Sequence, residues 1–402
     1  MGVPAWDNKL LYQVIKEIIS GHIFRSSQYY EILQKELCKL LKVKYCLLTE
    51  LGRIALEIGL KSLKLKAGDG VILPSYACTN VLLPVLKLEC EPQFADIGED
   101  LNISPESIEK TIKPNTKAII VPHLYGCPAP IKEILEIARQ KGLYVIDDAA
   151  QSLGAKVNGQ YTGTFGDIGI LSFGPFKVIS ATRGGALITN NPEIIIQLQN
   201  TKLKKASEKT ALDRFWKSFI KFKCRKYSYL LIHMYKKYKN KKVSKNVFSQ
   251  NHVDFSNYPK EYITMSNLDS LLVYLQIKKL NHILNKRKSL GKEFFKQISV
   301  TIPNVLIHPH IARDNVFLKF VIKLNLNTYA RSEIIKFFQN WGIEAQAGYT
   351  PLHFKFNFYK LPFTESIWHN ILTLPINSNM NINDIKFVIQ KLQLCGQILK
   401  NL

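Results

Sequence analysis

Asp148 and Lys177 are the two side chains whose types and surroundings first suggest chemistry in this sequence. Each follows an apolar run: 145–146 precedes the acidic pair, and 168–173 precedes the loop that carries the lysine. A lysine amine condenses with aldehydes to form a Schiff base, and a carboxylate keeps a neighbouring pyridine nitrogen protonated. Pyridoxal phosphate (PLP) requires both groups. Taken alone, one aspartate and one lysine favour a simpler interpretation, a helix cap and a solvated amine.

The elements around these residues are typical of an α/β sheet. Apolar runs at 145–146, 168–173 and 186–189 are bounded by Gly, Pro and Asp, as buried strands of such sheets are. Strand and helix patterns alternate from 45 to 190, which predicts a mostly parallel sheet with helices on both faces. Polar groups at the strand ends would lie where α/β proteins bind ligands.

Three spaced motifs in this stretch resemble a known family. DDAAQSLGA, GTFGDIGILSF and PFK follow one another in the order found in the DegT/DnrJ/EryC1/StrS sugar aminotransferases. The resemblance implies PLP and fold type I, the aspartate aminotransferase fold, in which a large domain with a mostly parallel seven-stranded sheet precedes a smaller C-terminal α/β domain. It divides the chain into a large PLP-binding domain (1–200), a basic aromatic insertion or linker (201–262), and a linking helix with the small domain (263–402).

The resemblance also implies roles for individual residues. Lys177 would hold the cofactor as a Schiff base and move protons at the substrate carbon, because the amine released from the cofactor is a correctly placed base. Asp148 would pair with the pyridine nitrogen, since the ring accepts electrons only while that nitrogen is protonated. Gln151 would lie near the phenolic oxygen of the ring.

The phosphate group would lie at the start of a helix. A strand pattern at 45–48 leads to Gly52 and a helix pattern over 54–62, and the N–H groups and dipole at a helix start attract anions. The family has Ser-Gly-Thr where this chain has Leu-Gly-Arg, so Arg53 would add a charged fork; the alternative is a surface arginine. Ser172 would join Gly52 and Arg53 around the phosphate.

Cys78 stands where the family has an aromatic residue that stacks on the PLP ring. A thiol cannot stack, which leaves two arrangements open. Tyr76 supplies the ring instead, or Cys78 lies flat against the pyridine as a soft apolar contact. A catalytic thiol is a third interpretation, for which no sequence neighbour provides activation.

Two further positions bear on the reaction. Family members that act as dehydratases have histidine in place of the lysine, so Lys177 favours an aminotransferase. The family's Asn-Tyr-Arg-Met motif, which reaches the partner subunit's active site, corresponds here to Tyr262-Ile263-Thr264-Met265. Its Asn and Arg are absent, and we expect a lysine or asparagine of the preceding insertion to replace them.

The segment 201–245 is strongly basic. It has sixteen Lys or Arg against two acids, which is +14 of the chain's net +24, and aromatic residues are interleaved with the cations. This pattern suits a helix at an anionic membrane surface. A second interpretation is a solvated loop whose aromatics cover the enzyme's own flank or its dimer partner. Nucleic acid is the least favoured partner.

Composition sets the wider context. A chain of 402 residues exceeds what one core usually holds, which predicts two subdomains. There is no apolar run of bilayer-spanning length and no secretory signal pattern. The seven cysteines form no CxxC pair, which argues against a zinc site or a disulfide framework. We expect a cytoplasmic protein, peripheral at the inner membrane surface if the basic segment binds lipid.

The sequence therefore predicts a homodimeric, PLP-dependent aminotransferase. By resemblance it would move an amino group, from glutamate, onto a nucleotide-linked keto-sugar for surface polysaccharide, lipopolysaccharide or other glycoconjugates. Two alternatives stay open. One is another PLP reaction on a sugar, such as dehydration. The other is a non-catalytic homologue that acts as a binding protein, which the changes at Arg53, Cys78 and Thr264 would suit.

Overall fold

The computed structural model describes most of the chain. The described residues are 6–25, 27–224, 255–256, 258–301, 306–307, 314–324, 328–356 and 359–400. The second part of the basic segment, 225–245, lies outside these ranges. In the part of the chain that the structure describes, no helix combines the length and the apolar character needed to cross a membrane.

A seven-stranded sheet forms the centre of the large domain. Its strand order is β1-β9-β8-β5-β4-β2-β3, and β9 runs antiparallel to both of its neighbours while the other pairings are parallel. Two short strands, β6 and β7, form a separate hairpin. The strands are β1 Tyr45–Thr49, β2 Gly70–Pro74, β3 Glu91–Ala95, β4 Thr116–Pro122, β5 Tyr144–Asp148, β6 Lys156–Val157, β7 Gln160–Tyr161, β8 Ile168–Ser172 and β9 Gly185–Thr189.

Helices cover both faces of this sheet. They are α1 Asn8–Ile19, α2 His22–Arg25, α3 Gln28–Leu41, α4 Gly52–Ser62, α5 Thr79–Lys87, α6 Pro105–Thr111, α7 Ile131–Lys141, α8 Pro192–Gln199 and α9 Glu208–Lys223. Local signals set several of their ends. Ser104 caps α6 by accepting the Ser107 N–H, and Gly142 ends α7 in the left-handed region. The predicted α/β class and mostly parallel sheet are confirmed.

The small domain follows two consecutive helices. They are α10 Asn267–Ile277 and α11 Leu280–Thr301, in the region of the predicted linking helix. A four-stranded sheet of order β10-β11-β13-β12 then packs with three helices around Phe294, Phe320 and Phe338. These elements are β10 Leu306–Ile307, β11 Phe320–Lys323, α12 Thr328–Asn340, β12 Gln346–Ala347, α13 Pro362–Ile367, β13 Ile371–Leu374 and α14 Ile382–Lys400.

Helix α9, the described part of the basic segment, packs into the core of the large domain. Ala211 and Phe215 are fully buried, and Phe222 is nearly so. The Glu208 carboxylate accepts the N–H groups of Asn267 (2.6 Å) and Leu268 (3.1 Å), and so caps the start of α10. The inward side of α9 is therefore an integral part of the fold.

Arg214 of α9 joins a network of charged groups near the end of β1. Its guanidinium lies 3.1 Å from the Glu50 carboxylate and 3.4 Å from Asp269. Arg183 shares Glu50 at 3.0 Å, and Asp269 accepts the Thr182 hydroxyl at 2.6 Å. Because 182–183 lie just before β9, the network connects α9 to the loop that returns from Lys177.

Candidate active site

Asp148 and Lys177 are close neighbours in the folded chain. Asp148 ends β5 and is buried, while Lys177 lies half-buried in the loop after β8. Burial raises the pKa of Asp148. The Ala150 N–H, which Asp148 accepts at 2.9 Å, and the Lys177 charge both act to lower it. Burial lowers the pKa of Lys177, against the charges of Cys78 and Asp148. The structure thus brings together the predicted acid and amine, each in an environment that favours its neutral form.

Asp147, the preceding acid, points away from the site and serves the fold. Its carboxylate accepts the His123 Nε2–H at 2.5 Å and the N–H groups of Gly163 and Phe165 at 2.8 and 2.9 Å. His123 Nδ1 accepts the Ala129 N–H, so the ring proton is on Nε2. Because successive strand residues face opposite sides, these bonds leave Asp148 directed to the site.

Gly52, Ser172 and Gly185 meet at the predicted phosphate position. A Cβ on Gly52 would lie 3.2 Å from the Ser172 Cβ, and one on Gly185 would lie 2.4 Å from the Gly52 nitrogen. The glycines therefore allow two strand ends to approach the first turn of α4. Leu51 provides no side-chain cap there, so the positive end of the helix dipole is available to an anion.

Arg53 adds positive charge at this helix start. Its Nη1 donates to Asn80 Oδ1 at 3.0 Å, and its guanidinium carbon lies 5.4 Å from the centre of the Tyr258 ring. Burial lowers the pKa of Arg53, and the like charge of Arg183 acts in the same direction. Arg183 is paired with Glu50 at 3.0 Å, so Arg53 supplies the added positive charge that favours an anionic ligand beside the Gly52 turn.

Cys78 and Tyr76 differ in burial and in the groups that they contact. Cys78 is the residue before α5, half-buried, and its sulfur accepts the Asn80 amide at 3.6 Å. It lies close enough to both Lys177 and Arg53 to interact with them electrostatically. Tyr76 is fully buried, and its hydroxyl lies 2.9 Å from that of Tyr125. The Tyr76 ring packs against those of Tyr125 and Tyr349, with centres 6.4 and 5.7 Å apart, and the alternative in which Tyr76 supplies a ring to the cofactor stays a prediction.

A cavity of about 210 Å³ opens between the two domains at Lys177. Its walls include Gln151, whose side chain accepts the Tyr125 N–H at 3.1 Å, and the rings of Tyr125 and Tyr349, stacked 5.6 Å apart. The other lining residues were absent from the prediction; they are Phe176, Leu318, Lys319, Gln346, Ala347 and Thr373. A signal existed for Lys319, because it interrupts the apolar run 316–322.

The His-Leu-Tyr-Gly turn at 123–126 joins the domains at this cavity. Val316 N–H donates to the Gly126 carbonyl at 3.0 Å, and Leu318 N–H donates to the Tyr125 carbonyl at 2.9 Å. Gly126 has a φ of +95°, and a Cβ there would lie 2.8 Å from the Leu318 nitrogen. Only glycine fits this approach, which fixes the small-domain wall of the cavity.

His353, at the end of the segment 349–353, is a structural residue. Its Nδ1 lies 2.5 Å from the Ser75 hydroxyl, and its Nε2 lies 3.1 Å from the Glu365 carboxylate. Burial lowers the pKa of His353, against the Glu365 charge. Within this segment, Tyr349 lines the cavity and His353 connects the domains behind it.

Comparison with known proteins gives one family match over almost the whole chain. The model of the DegT/DnrJ/EryC1/StrS aminotransferase family matches residues 7–393. The chain is 31% identical to GDP-perosamine synthase of Vibrio cholerae over 212 residues, which are 52% of this chain and 56% of that protein. It is 39% identical over 153 residues to a UDP-N-acetyl-3-dehydro-alpha-D-glucosamine 3-aminotransferase of Acidithiobacillus ferrooxidans, covering 38% and 42% of the two chains. These alignments span about half the length of the curated relatives.

Solved structures share the fold. The chain superposes on Helicobacter pylori PseC, an aminotransferase involved in the biosynthesis of pseudoaminic acid, with a TM-score of 0.76, 19% identity and 98% coverage of both chains. It superposes on Bacillus subtilis NtdA, solved with bound cofactor PMP, with a TM-score of 0.72, 24% identity, and coverage of 97% of this chain and 82% of that one.

Proposed function

Because the chain belongs to the DegT/DnrJ/EryC1/StrS aminotransferase family, we propose that it is a PLP-dependent aminotransferase that moves an amino group, from glutamate, onto a nucleotide-linked keto-sugar. The observation that carries the proposal is the half-buried Lys177 amine beside the buried Asp148 carboxylate, next to an anion-binding helix start. The product would enter surface polysaccharide, lipopolysaccharide or another glycoconjugate.

The residues present fit the cofactor. Gly52, Arg53 and Ser172 would hold the phosphate, because the glycine turn leaves no side chain between the α4 start and the end of β8. Asp148 would face the pyridine nitrogen, and Cys78 would contact the ring as a small apolar group. When bound, PLP supplies an aldehyde that captures amines and a protonated ring that accepts electrons from the substrate carbon.

Lys177 would serve as nucleophile and then as base. A nucleophilic amine must be neutral, and burial lowers the pKa of Lys177, which increases the neutral fraction at a given pH. Once displaced by the incoming amine, Lys177 Nζ would take the proton from the substrate carbon and return it elsewhere. The rings of Tyr125 and Tyr349 close one side of the cavity and exclude water from that transfer.

Asp148 would provide the negative charge that keeps the pyridine nitrogen protonated. Burial raises the pKa of Asp148, so a cationic neighbour would stabilise its ionised form. Gln151 is held in place by the Tyr125 N–H and would lie at the phenolic oxygen of the ring. Both side chains are fixed by the backbone before any ligand arrives, which is the preorganisation that electrostatic catalysis requires.

The substrate side of the cavity favours anions. Lys177 and Lys319 line it, and its other lining residues carry no acid. Burial lowers the pKa of Lys319, against the Glu344 charge, so a bound anion would stabilise the ammonium form. The carboxylates of glutamate and the diphosphate of a nucleotide-linked sugar are both suitable anions.

Two further proposals concern assembly and location. We propose a homodimer in the cytoplasm, since the segment at 262–265 corresponds to one that reaches a partner subunit in the family. We also propose contact between the basic segment and an anionic membrane surface. Helix α9 supports it, since Trp216 (36% exposed) and Ile220 (57% exposed) face outward beside Lys217 and Lys221.

The proposed function is tested by visible absorbance and by mass spectrometry of the purified protein. Purified protein should show a visible absorbance band that borohydride removes while fixing the cofactor mass on Lys177. Lys177→Ala should lose both signals, and a retained band in that variant would overturn the assignment. Transfer of label from 15N-glutamate to the sugar would distinguish an aminotransferase from a dehydratase. A purified protein that binds no PLP would instead favour the non-catalytic homologue.

A further inference from the structure

Glu57 is a fully buried carboxylate on α4, one turn beyond the Arg53 position. Lys87 Nζ lies 3.0 Å from it and Lys61 Nζ lies 3.7 Å from it. It also accepts the hydroxyl groups of Tyr258, at 2.8 Å, and Tyr262, at 2.5 Å. Burying a charge is costly unless it is paired and hydrogen-bonded, and here every partner is a charged or hydroxyl donor.

The two tyrosines differ in what their rings contact. The Tyr258 ring lies 5.4 Å from the Arg53 guanidinium carbon and 4.7 Å from Lys87 Nζ. The Tyr262 ring lies 4.8 Å from Lys61 Nζ and 5.6 Å from Lys87 Nζ. Both hydroxyls are therefore fixed by one carboxylate, but the Tyr258 ring is the one that supports the arginine at the proposed phosphate site.

We propose that Tyr258, anchored by Glu57, is a positioning residue that holds the Arg53 guanidinium for the phosphate group of the cofactor. The inference rests on the proposed function and names residues that the family motif at 262–265 does not supply. Tyr258, which follows the basic segment in sequence, would thus contribute to the phosphate site indirectly, by supporting Arg53.

The geometry gives the guanidinium two supports of different kinds. Asn80 Oδ1 accepts Nη1 at 3.0 Å and sets the direction of one edge. The Tyr258 ring attracts the cation across its face, and a contact of this kind changes an equilibrium constant by about three- to tenfold. Because Glu57 holds the Tyr258 hydroxyl, the ring cannot swing away from Arg53 without breaking a buried hydrogen bond.

The experiment compares PLP with pyridoxal, which has the same ring and aldehyde but no phosphate. Dissociation constants for both are measured by absorbance titration of the full-length apo protein. Tyr258→Leu keeps apolar bulk and loses the ring face. We expect it to weaken PLP binding by about three- to tenfold while the pyridoxal constant stays within about twofold. Tyr258→Phe, which keeps the ring and loses only the anchor, should give a smaller loss in the same direction.

Tyr262→Leu is the matched control, because it also removes a hydroxyl from Glu57 but no ring from Arg53. It should lower thermal stability much as Tyr258→Leu does and leave PLP affinity unchanged. Arg53→Ala provides the coupling test: in that background, Tyr258→Leu should have no further effect on PLP.

Three results would overturn the proposal. They are equal weakening of PLP and pyridoxal by Tyr258→Leu, an equal PLP effect of Tyr262→Leu, or additive effects of the Tyr258 and Arg53 changes. Failure of the proposed function itself would look different, since the unaltered protein would then bind neither compound and Lys177 would not be fixed by borohydride.

Discussion

Trp6 and Phe215 pack against each other with ring centres 5.6 Å apart, and both side chains are fully buried. The contact joins the N-terminal segment to α9, the first part of the basic segment. Trp216, the next residue, is 36% exposed on the other side of the same helix. Adjacent residues of α9, Phe215 and Trp216, therefore face the core and the solvent respectively.

This contact predicts a large difference between neighbouring substitutions. Phe215→Ala leaves a cavity beneath Trp6 and should lower the free energy of unfolding by about 3–5 kcal/mol. Trp216→Ala should cost less than about 1 kcal/mol. Chemical denaturation of both variants measures this, and equal costs would mean that α9 does not belong to the core.

The lysine in the site should react as a neutral amine at lower pH than exposed lysines do. An amine is labelled by acetic anhydride only when unprotonated, and burial lowers the pKa of Lys177. The labelling curve of Lys177, measured by mass spectrometry of the apo protein, should therefore lie to the acid side of the curves of exposed lysines.

Asp148→Asn should change the pKa of Lys177 in a defined direction. The Asp148 charge opposes the effect of burial on Lys177, so its removal should lower the pKa of Lys177 further. The labelling curve should move to still lower pH. A shift to higher pH would show that the two groups do not interact as the structure places them.

Lys319 should control affinity for an anionic substrate. Lys319→Gln removes a cation that lines the cavity and should raise a KM about tenfold, with kcat little changed. A change in the KM for glutamate alone, or in the KM for the sugar alone, would identify which anion Lys319 binds. Lys323→Gln, at the far end of the strand β11 that follows Lys319 and outside the cavity lining, is the control. No change in either KM would exclude Lys319 from the substrate site.

Gly185 should tolerate no side chain. Its added Cβ would lie 2.4 Å from the Gly52 nitrogen, so Gly185→Ala must displace the α4 start and should weaken PLP binding at least about tenfold. Gly174→Ala, where a Cβ would meet nothing within 4 Å, should bind PLP normally. Absorbance titration of the two apo proteins measures both constants. Equal affinities would show that PLP does not depend on this turn.

The sequence was most informative where local pattern and chemistry coincide. Asp148, Ser172 and Lys177 follow apolar runs that could only be buried strands, so their shared position at one sheet edge was predictable. Cys78 was correctly placed near the lysine by its order along the chain. These inferences needed no knowledge of distant contacts.

Other features depended on contacts that no local pattern encodes. No local pattern marks Glu57 as a buried carboxylate, because its tyrosine partners come about two hundred residues later. The charge of the segment 208–223 favoured a surface role, while a second interpretation had its aromatics cover the enzyme's own flank. The buried Ala211 and Phe215 agree with the aromatic part of that second interpretation. Lys319 was overlooked because the cavity it lines forms only when the small domain docks.

The position of Arg214 between Glu50 and Asp269 limits how the basic segment can be studied. A deletion that begins at 201 would take Arg214 away from the buried Asp269 and leave Glu50 with Arg183 as its partner. Any loss of vesicle binding would then be indistinguishable from unfolding. Charge reversal at Lys217 and Lys221, which point to solvent, avoids this ambiguity. The outward Lys217 and Lys221 of α9 can be altered without disturbing the fold. The inward Arg214 cannot, because it connects α9 to Glu50 and Asp269.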